Sequence, residues 1–394
     1  MTTRERFLAV AAFEKPDYVP LLACNGIDGP VSETVWRWQR EQGMPPLSQE
    51  RRPQDTFPAY DSFWGSVETA RGWDRFWGMN RVYYWGPDSR MAMPDPEIIS
   101  DDGEYYTYRY ADGRVTREWH DNWDRYGMPE FLKYPLEQPE EWYAYKERWL
   151  PLEDGIYPPD WVERAATMRE RDFPMGVGMP GTFSLLRNLF GTAGASTIFY
   201  DAPDVVRDIL RHYLERAMRM LEPTMRDANP DVIGIGEDFC YRSGCFVSPA
   251  TFREFFTPHY REIAEYGRTH GVRTVLVDSD GFVERIVPLL QEAGVNALQA
   301  FEPRAGNEIV RVREANPRFI IWGGLDKFVM DQEDLAVIDG EIDRKVPALL
   351  AGGGYFPGID HGLPPTAYYR SYMHFVRRLH ELTGNPEGEF WKHI

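Results

Sequence analysis

Arg273–Asp280, RTVLVDSD, is the stretch on which the fold turns. Val275, Leu276 and Val277 form a short apolar run that ends in two aspartates separated by one serine. Four more stretches share this design: Asp231–Asp238 (DVIGIGED), Asn296–Glu302 (NALQAFE), Phe319–Asp326 (FIIWGGLD) and Gly354–His361 (GYFPGIDH). The first four of the five, in chain order, are each followed by a helix-like segment before the next begins. Strand and helix alternating at this interval predict a parallel sheet. A strand whose C-terminal end carries carboxylates, once per βα unit, is how a (β/α)8 barrel assembles an active site on one rim. The expected fold is therefore α/β, a TIM barrel.

Outward from this core, Pro203–Met225 carries the strongest helical pattern. Val206, Ile209, Leu210, Tyr213, Leu214, Ala217 and Leu221 recur at spacings of three and four, and Pro203 suits a first turn. Helices are also predicted over Thr3–Phe13, Glu137–Trp149, Trp161–Arg171, Ser184–Phe190, Phe282–Ala293, Leu335–Leu350 and Ala367–Leu382. Strands are predicted over Tyr18–Leu22 and Pro174–Met179. Glu104–Tyr110 and Arg114–Trp119 flank Ala111-Asp112-Gly113 and read as a β-hairpin with an Asp-Gly turn. Such a hairpin is foreign to a minimal barrel and is expected as an insertion in an elaborated N-terminal third. Residues 25–100 are rich in Gly, Pro and Trp, with broken helical periodicity. No repeat or linker divides the chain, so residues 1–394 read as one domain.

The composition excludes several roles. A formal charge of -18 would repel nucleic acid and anionic membranes. Three cysteines, Cys24, Cys240 and Cys245, make no disulfide framework and no CxxC pair. No apolar run is long enough for a membrane span, and a soluble, cytoplasmic protein is expected. Eleven of the thirteen tryptophans fall in residues 1–161, in clusters such as Trp36 with Trp38 and Phe63 with Trp64. They either fill a core and an interface or wall a flat ligand.

The candidate chemistry sits at the strand ends. Asp278 and Asp280 stand two apart and can face one mouth; Ser279 or Asp280 can instead cap the following helix. Glu237, Asp238 and Glu302 occupy equivalent ends. Gly323-Gly324-Leu325-Asp326-Lys327 allows a close approach, with Asp326 able to orient Lys327 or cap a helix. Gly358-Ile359-Asp360-His361-Gly362 supplies the only histidine at a predicted strand end, a proton shuttle or metal ligand. Cys240 and Cys245 read as small buried residues in a loop. Carboxylates this crowded must be protonated, paired with a cation or bound to a metal, and Arg187, Arg304 and Lys327 are the cations within reach.

Taken together, RERFLAVAAFEKPDYVPL, FLKYPLEQPEEWYAYKERW, SPATFREFFTPHYREI, VDSDGFVERIVPLLQEAGVNALQAFEPRAG, GGLDK and GGGYFPGIDHGLPP resemble the uroporphyrinogen decarboxylase family. The resemblance implies a (β/α)8 barrel with its pocket at the C-terminal rim, and either decarboxylation or corrinoid-linked methyl transfer. True uroporphyrinogen decarboxylases carry propionate-gripping arginines soon after the first strand, where this chain reads LLACNGIDGP. The methyltransferase branch uses a His-x-Cys zinc pair and a later Cys; here the matching positions are Asp278, Asp280 and Asp360. The resemblance therefore implies a methyltransferase that moves a methyl group between a small methylated substrate and a corrinoid carrier. Asp278, Asp280 and His361 would be catalytic and would be the ligands if a divalent metal is present. Asp238, Glu237, Glu302, Asp326, Lys327 and Asp360 would bind substrate. A corrinoid protein and a second copy of the chain are the expected partners. Decarboxylation of a small organic or aromatic acid, and a non-catalytic ligand-binding barrel, are the alternative functions.

Overall fold

The computed structural model describes residues 1–23, 32–48, 67–86, 95–120, 129–154, 157–386 and 388–393. Cys24, the Phe63-Trp64 pair and most of LLACNGIDGP lie outside the described residues. The strands, in chain order, begin with β1 (Leu22–Ala23), β2 (Asn80–Arg81) and β3 (Tyr83–Tyr84). Then come β4 (Glu97–Asp101), β5 (Tyr105–Arg109), β6 (Val115–Trp119) and β7 (Glu130–Lys133). β8 (Met175–Met179), β9 (Val232–Glu237), β10 (Cys240–Tyr241) and β11 (Gly244–Cys245) follow. The last four are β12 (Thr274–Ser279), β13 (Ala297–Ala300), β14 (Ile320–Gly323) and β15 (Tyr355–Phe356).

Seven strands form one sheet in the order β15-β14-β13-β12-β9-β8-β3, and every neighbouring pair is parallel. Each of the five acid-tipped stretches supplies a strand to this sheet. The sheet curls. Leu22 on β1 and Val82 beside β3 share one apolar cluster with Val232, Leu276, Ala297, Ile320, Trp322 and Phe356, which span β9 to β15. The first helix, α1 (Thr3–Ala11), plugs one end of this curl. Phe7 stacks on Phe356 with ring centroids 5.2 Å apart and lies 6.0 Å from Trp322. Arg4 pairs at 2.9 Å with Asp231, which immediately precedes β9, so the plugged end is the N-terminal end of the strands. Arg171 holds the other side of the same carboxylate at 2.6 Å.

The register carries the interior from this plugged end to the opposite one. Phe356 is level with Trp322, Trp322 with Gln299, Gln299 with Asp278 and Asp278 with Gly236. Register partners in a parallel sheet present their side chains on one face. Strands tilted against a common axis make such a row climb along that axis. The row thus begins in aromatic packing and passes through a carboxylate to a glycine.

The N-terminal third holds a separate antiparallel sheet, in the order β4-β5-β6-β7. β5 and β6 meet across the Asp-Gly turn, where Arg114 N–H donates to Asp112 Oδ1 at 3.1 Å and Gly113 takes a positive φ of 91°. The broken periodicity of residues 25–100 conceals two helices, Ser32–Glu41 and Val67–Trp77. Among the described residues the tryptophans are mainly core. Trp38, Trp73 and Trp77 are fully buried and pack on Tyr372 of the helix Tyr369–Thr383, at centroid distances of 5.2–5.5 Å for Trp38 and Trp73 and 4.8 Å for Trp77. The helix Thr182–Asp201 runs well beyond the expected Ser184–Phe190, bending at Gly191 (φ 74°). No helix among the described residues is long and apolar enough to cross a membrane.

Candidate active site

The end of the curl opposite α1 is open and polar. Gly178 on β8 and Gly236 on β9 face inward and are exposed, and a Cβ added at either would meet nothing within 4 Å. One layer lower, Tyr84 fills the space: a Cβ at Gly234 would lie 2.3 Å from its hydroxyl, and one at Gly176 2.9 Å from its ring. The glycines of DVIGIGED and PMGVGM therefore divide the interior into a floor of tyrosine and an open chamber above it.

Asp278 stands at the edge of that chamber, in register with Gly236 and Gln299. Burial, then the negative charge of Asp280, push its carboxyl up to about 7, and the His361 charge and Gln299 only partly offset this. Asp278 is thus about half protonated at neutral pH. Asp280 lies past the strand end with its side chain 54% exposed. Burial alone would raise its carboxyl, but the His361 hydrogen bond and charge, with Lys327 and Arg187 nearby, bring it below the usual range.

His361 organises the rim. Its Nε2 bonds Asp280 Oδ1 at 2.7 Å, while Nδ1 lies 3.6 Å from both Glu302 Oε1 and Asp360 Oδ2. Burial disfavours its charge, yet Asp280 and Asp360 prevail and raise the imidazole to about 10. Asp238 pairs with Arg187 of the helix Thr182–Asp201. Burial lifts its carboxyl to about 6, with Asp280 and Glu237 adding to the rise and Arg187 opposing it. Asp278, Asp280, His361, Asp238, Glu302, Asp360 and Lys327 thus share one rim.

Local backbone sets these positions. Ala300 and Phe301 both take positive φ, 96° and 54°, immediately before Glu302. Non-glycine residues in that region cost about 1–3 kcal/mol each and persist where surrounding packing enforces them. Phe301 is fully buried, and the bend turns Glu302 back so that its Oε2 accepts from Gly281 N at 2.7 Å. Asn307 completes the loop: its Oδ1 accepts from Val283 N and Glu284 N, both at 3.0 Å, and its Nδ2 donates to the carbonyls of Gly281 and Glu302, both at 2.8 Å.

Three expectations need correction. Glu237 does not line the mouth. It is buried, and its carboxylate accepts from Thr182 N, from Thr182 Oγ1 at 2.5 Å, from Ser184 N at 3.1 Å and from the Tyr260 hydroxyl, so it caps a helix. Neither Ser279 nor Asp280 caps the helix after β12; Asn307 does. The substrate-binding expectation for Asp326 gives way to its capping alternative: Asp326 accepts from Phe328 N at 2.9 Å at the start of the turn Lys327–Asp331 and pairs with Arg304 at 3.1 Å. The residues the sequence left unnoticed are Gln299, Asn307, Tyr84 and the two open glycines. Gln299 left a trace, as the one polar side chain within the apolar run of NALQAFE.

The geometry also changes the metal expectation. Among the described residues, the group able to hold an ion is Glu302, Asp360 and His361, whose ligand atoms lie within 4.8 Å of one another; Asp278 and Asp280 are not in it. His361 Nδ1 is buried and has no hydrogen-bond partner among the described residues, and Asp280 holds Nε2 from behind. A carboxylate on the far ring nitrogen is the usual support for a metal-binding histidine. Oxygen and imidazole donors without thiolate suit a hard or borderline divalent ion.

The family model described as Uroporphyrinogen decarboxylase (URO-D) matches residues 126–382. The chain belongs to the uroporphyrinogen decarboxylase family. Its fold is similar to a solved methyltransferase from Methanosarcina mazei, with TM-score 0.57 and 17% identity over 97% of this chain and 99% of that one. A B12-independent methionine synthase from Shewanella sp. W3-18-1, in complex with selenomethionine, matches at TM-score 0.33 and 12% identity, covering 58% of this chain and 67% of that one. No curated protein matches. Within the family the chain is not a true uroporphyrinogen decarboxylase: LLACNGIDGP has no arginine, and the mouth presents carboxylates to a substrate that is itself polyanionic.

Proposed function

We propose that the chain is a methyltransferase that moves a methyl group from a small methylated substrate to a corrinoid carrier, in a closed (β/α)8 barrel whose mouth is the rim described above. Asp278 carries this reading: a carboxyl poised near pH 7, bordering an open chamber, next to an imidazolium that can stabilise its anion. A general acid works best with a pKa near the operating pH. When the carbon–heteroatom bond breaks, the methyl group passes to the carrier and the electron pair stays on the oxygen or nitrogen left behind. Asp278 gives its proton to that atom. The resulting carboxylate is held by the positive charge of His361, which Asp280 keeps protonated, and water returns the proton after product leaves. Arg187, paired with Asp238, and Lys327 position the substrate. The corrinoid supplies the methyl acceptor. A divalent ion held by Glu302, Asp360 and His361 would take the place of the His361 Nδ1 proton, carry the positive charge in its stead and supply Lewis-acid polarisation of the leaving atom.

Anaerobic incubation with cob(I)alamin and a panel of O-methyl and N-methyl donors tests the reading. Conversion of the cob(I)alamin absorbance to that of methylcobalamin is expected with at least one donor, and no conversion with any of them overturns it. Arg187 and Lys327 beside the chamber favour one second reading, decarboxylation of a small acid. Carbon dioxide release without cobalamin would establish that instead.

A further inference from the structure

The hairpin that follows Asp238 carries two residues the proposed chemistry does not use. β10 and β11 pair antiparallel with Cys240 directly opposite Cys245 and Tyr241 opposite Gly244. The two small residues expected in a loop thus stand as a cross-strand pair. Phe246 N–H donates to Phe239 O at 2.9 Å, so the next pair along the ladder is a bonded one. Antiparallel ladders alternate, which makes Cys240–Cys245 a non-bonded pair, with Cα atoms about 4.5 Å apart. That spacing lies within the roughly 4.4–6.8 Å that a disulfide spans. Both cysteines are free.

The hairpin is seated on the catalytic rim. Phe282 N–H donates to Tyr241 O at 3.1 Å, and a Cβ on Gly281 would come within 2.8 Å of the Cys240 carbonyl. Cys240 is two residues from Asp238, and Gly281 is the neighbour of Asp280.

We propose that Cys240 and Cys245 form a thiol–disulfide exchange site that accepts a small-molecule disulfide, and that its closure locks the hairpin between Asp238 and Asp280. Cys245 is the attacking sulfur, since it is half-buried where Cys240 is buried. Its neighbours, Cys240 first and then the Val247 N–H, hold its thiol below the usual range against the effect of burial. The Cys245 thiolate attacks one sulfur of R–S–S–R, that bond breaks, and one RS⁻ departs. Cys240 then loses its proton to solvent, and its sulfur attacks Cys245 and expels the second RS⁻. Two protein thiols become one disulfide, and the small disulfide is reduced to two thiols.

The test uses the full chain and its Cys24→Ser variant, each treated with oxidised glutathione and digested with trypsin without reduction. Arg242 lies between the two cysteines, so trypsin separates them and closure appears as two peptides joined through sulfur. The expected result is that joined pair in both proteins, released by dithiothreitol, with Cys240→Ser stopping at a glutathione adduct on Cys245. A glutathione adduct that persists on Cys245 when Cys240 is present, or no modification of either residue, overturns the proposal.

Discussion

The two ends of the curled sheet are built from the same strands and do opposite things. At the N-terminal end Phe7, Trp322 and Phe356 pack together, with Leu276 and Ile320 close around them. At the C-terminal end the same register row reaches Asp278, and inward-facing glycines keep space free. A packed layer at one end fixes the strands. The other end can then hold a partly protonated carboxyl and bent backbone that would weaken a fold resting on that end alone.

The comparison breaks most clearly at Asp278. Asp278→Asn keeps the shape and removes the proton, so methyl transfer is expected to fall by about 10²–10⁴-fold in an anaerobic assay. The same change is expected to stabilise the fold at alkaline pH. A carboxyl whose folded pKa is about 7, above the ordinary 3.8, contributes favourably at low pH and loses that contribution as pH rises through 7. Thermal melts of the two proteins should therefore converge below pH 3.8, separate progressively as the pH rises from there to about 7, and stay apart above it, with the variant higher. If the variant melts lower at every pH, the raised carboxyl is wrong.

At the packed end, Phe7→Ala is expected to cost about 3–5 kcal/mol in denaturant unfolding, as for other buried aromatics. The protein that remains folded should keep its turnover. A turnover loss without a stability loss would mean that the two ends are not separable.

Asp280→Asn sharpens the picture of the rim without emptying it. His361, held near 10 largely by Asp280, should titrate closer to the ordinary histidine value in an NMR pH series. An unchanged titration would shift the credit to Asp360. The smallest effect is expected at Gly236→Ala. Its added methyl meets no atom within 4 Å, so stability should change by less than about 1 kcal/mol, while the substrate KM rises because the methyl enters the chamber. An unchanged KM would move the substrate elsewhere.

Much of this was legible in the chain. The five strands and their order along the sequence follow from apolar runs with acid tips, and Asp278, Asp280 and His361 do meet on one rim. Less visible was what each acid does. Glu237 and Asp238 are neighbours at one strand end, but alternation sends Glu237 into the helix cap and Asp238 to the mouth. Asp326 reads like Asp278 and yet closes a turn. The role of Asn307 depends on contacts across more than twenty residues, and the strained Ala300-Phe301 turn leaves no compositional mark. The helices at 32–41 and 67–77 were hidden because tryptophan, glycine and arginine obscure an amphipathic pattern whose buried face packs on a helix three hundred residues away.

The most direct test of the account is the protonation of Asp278 itself. Carboxyl infrared difference spectra between the unaltered protein and Asp278→Asn, recorded across pH, isolate that one group from Asp238. A protonated carboxyl band that disappears with a midpoint near pH 7 is the predicted result. A midpoint near pH 4 would show an ordinary ionised aspartate with no proton to give at neutral pH, and would contradict the account.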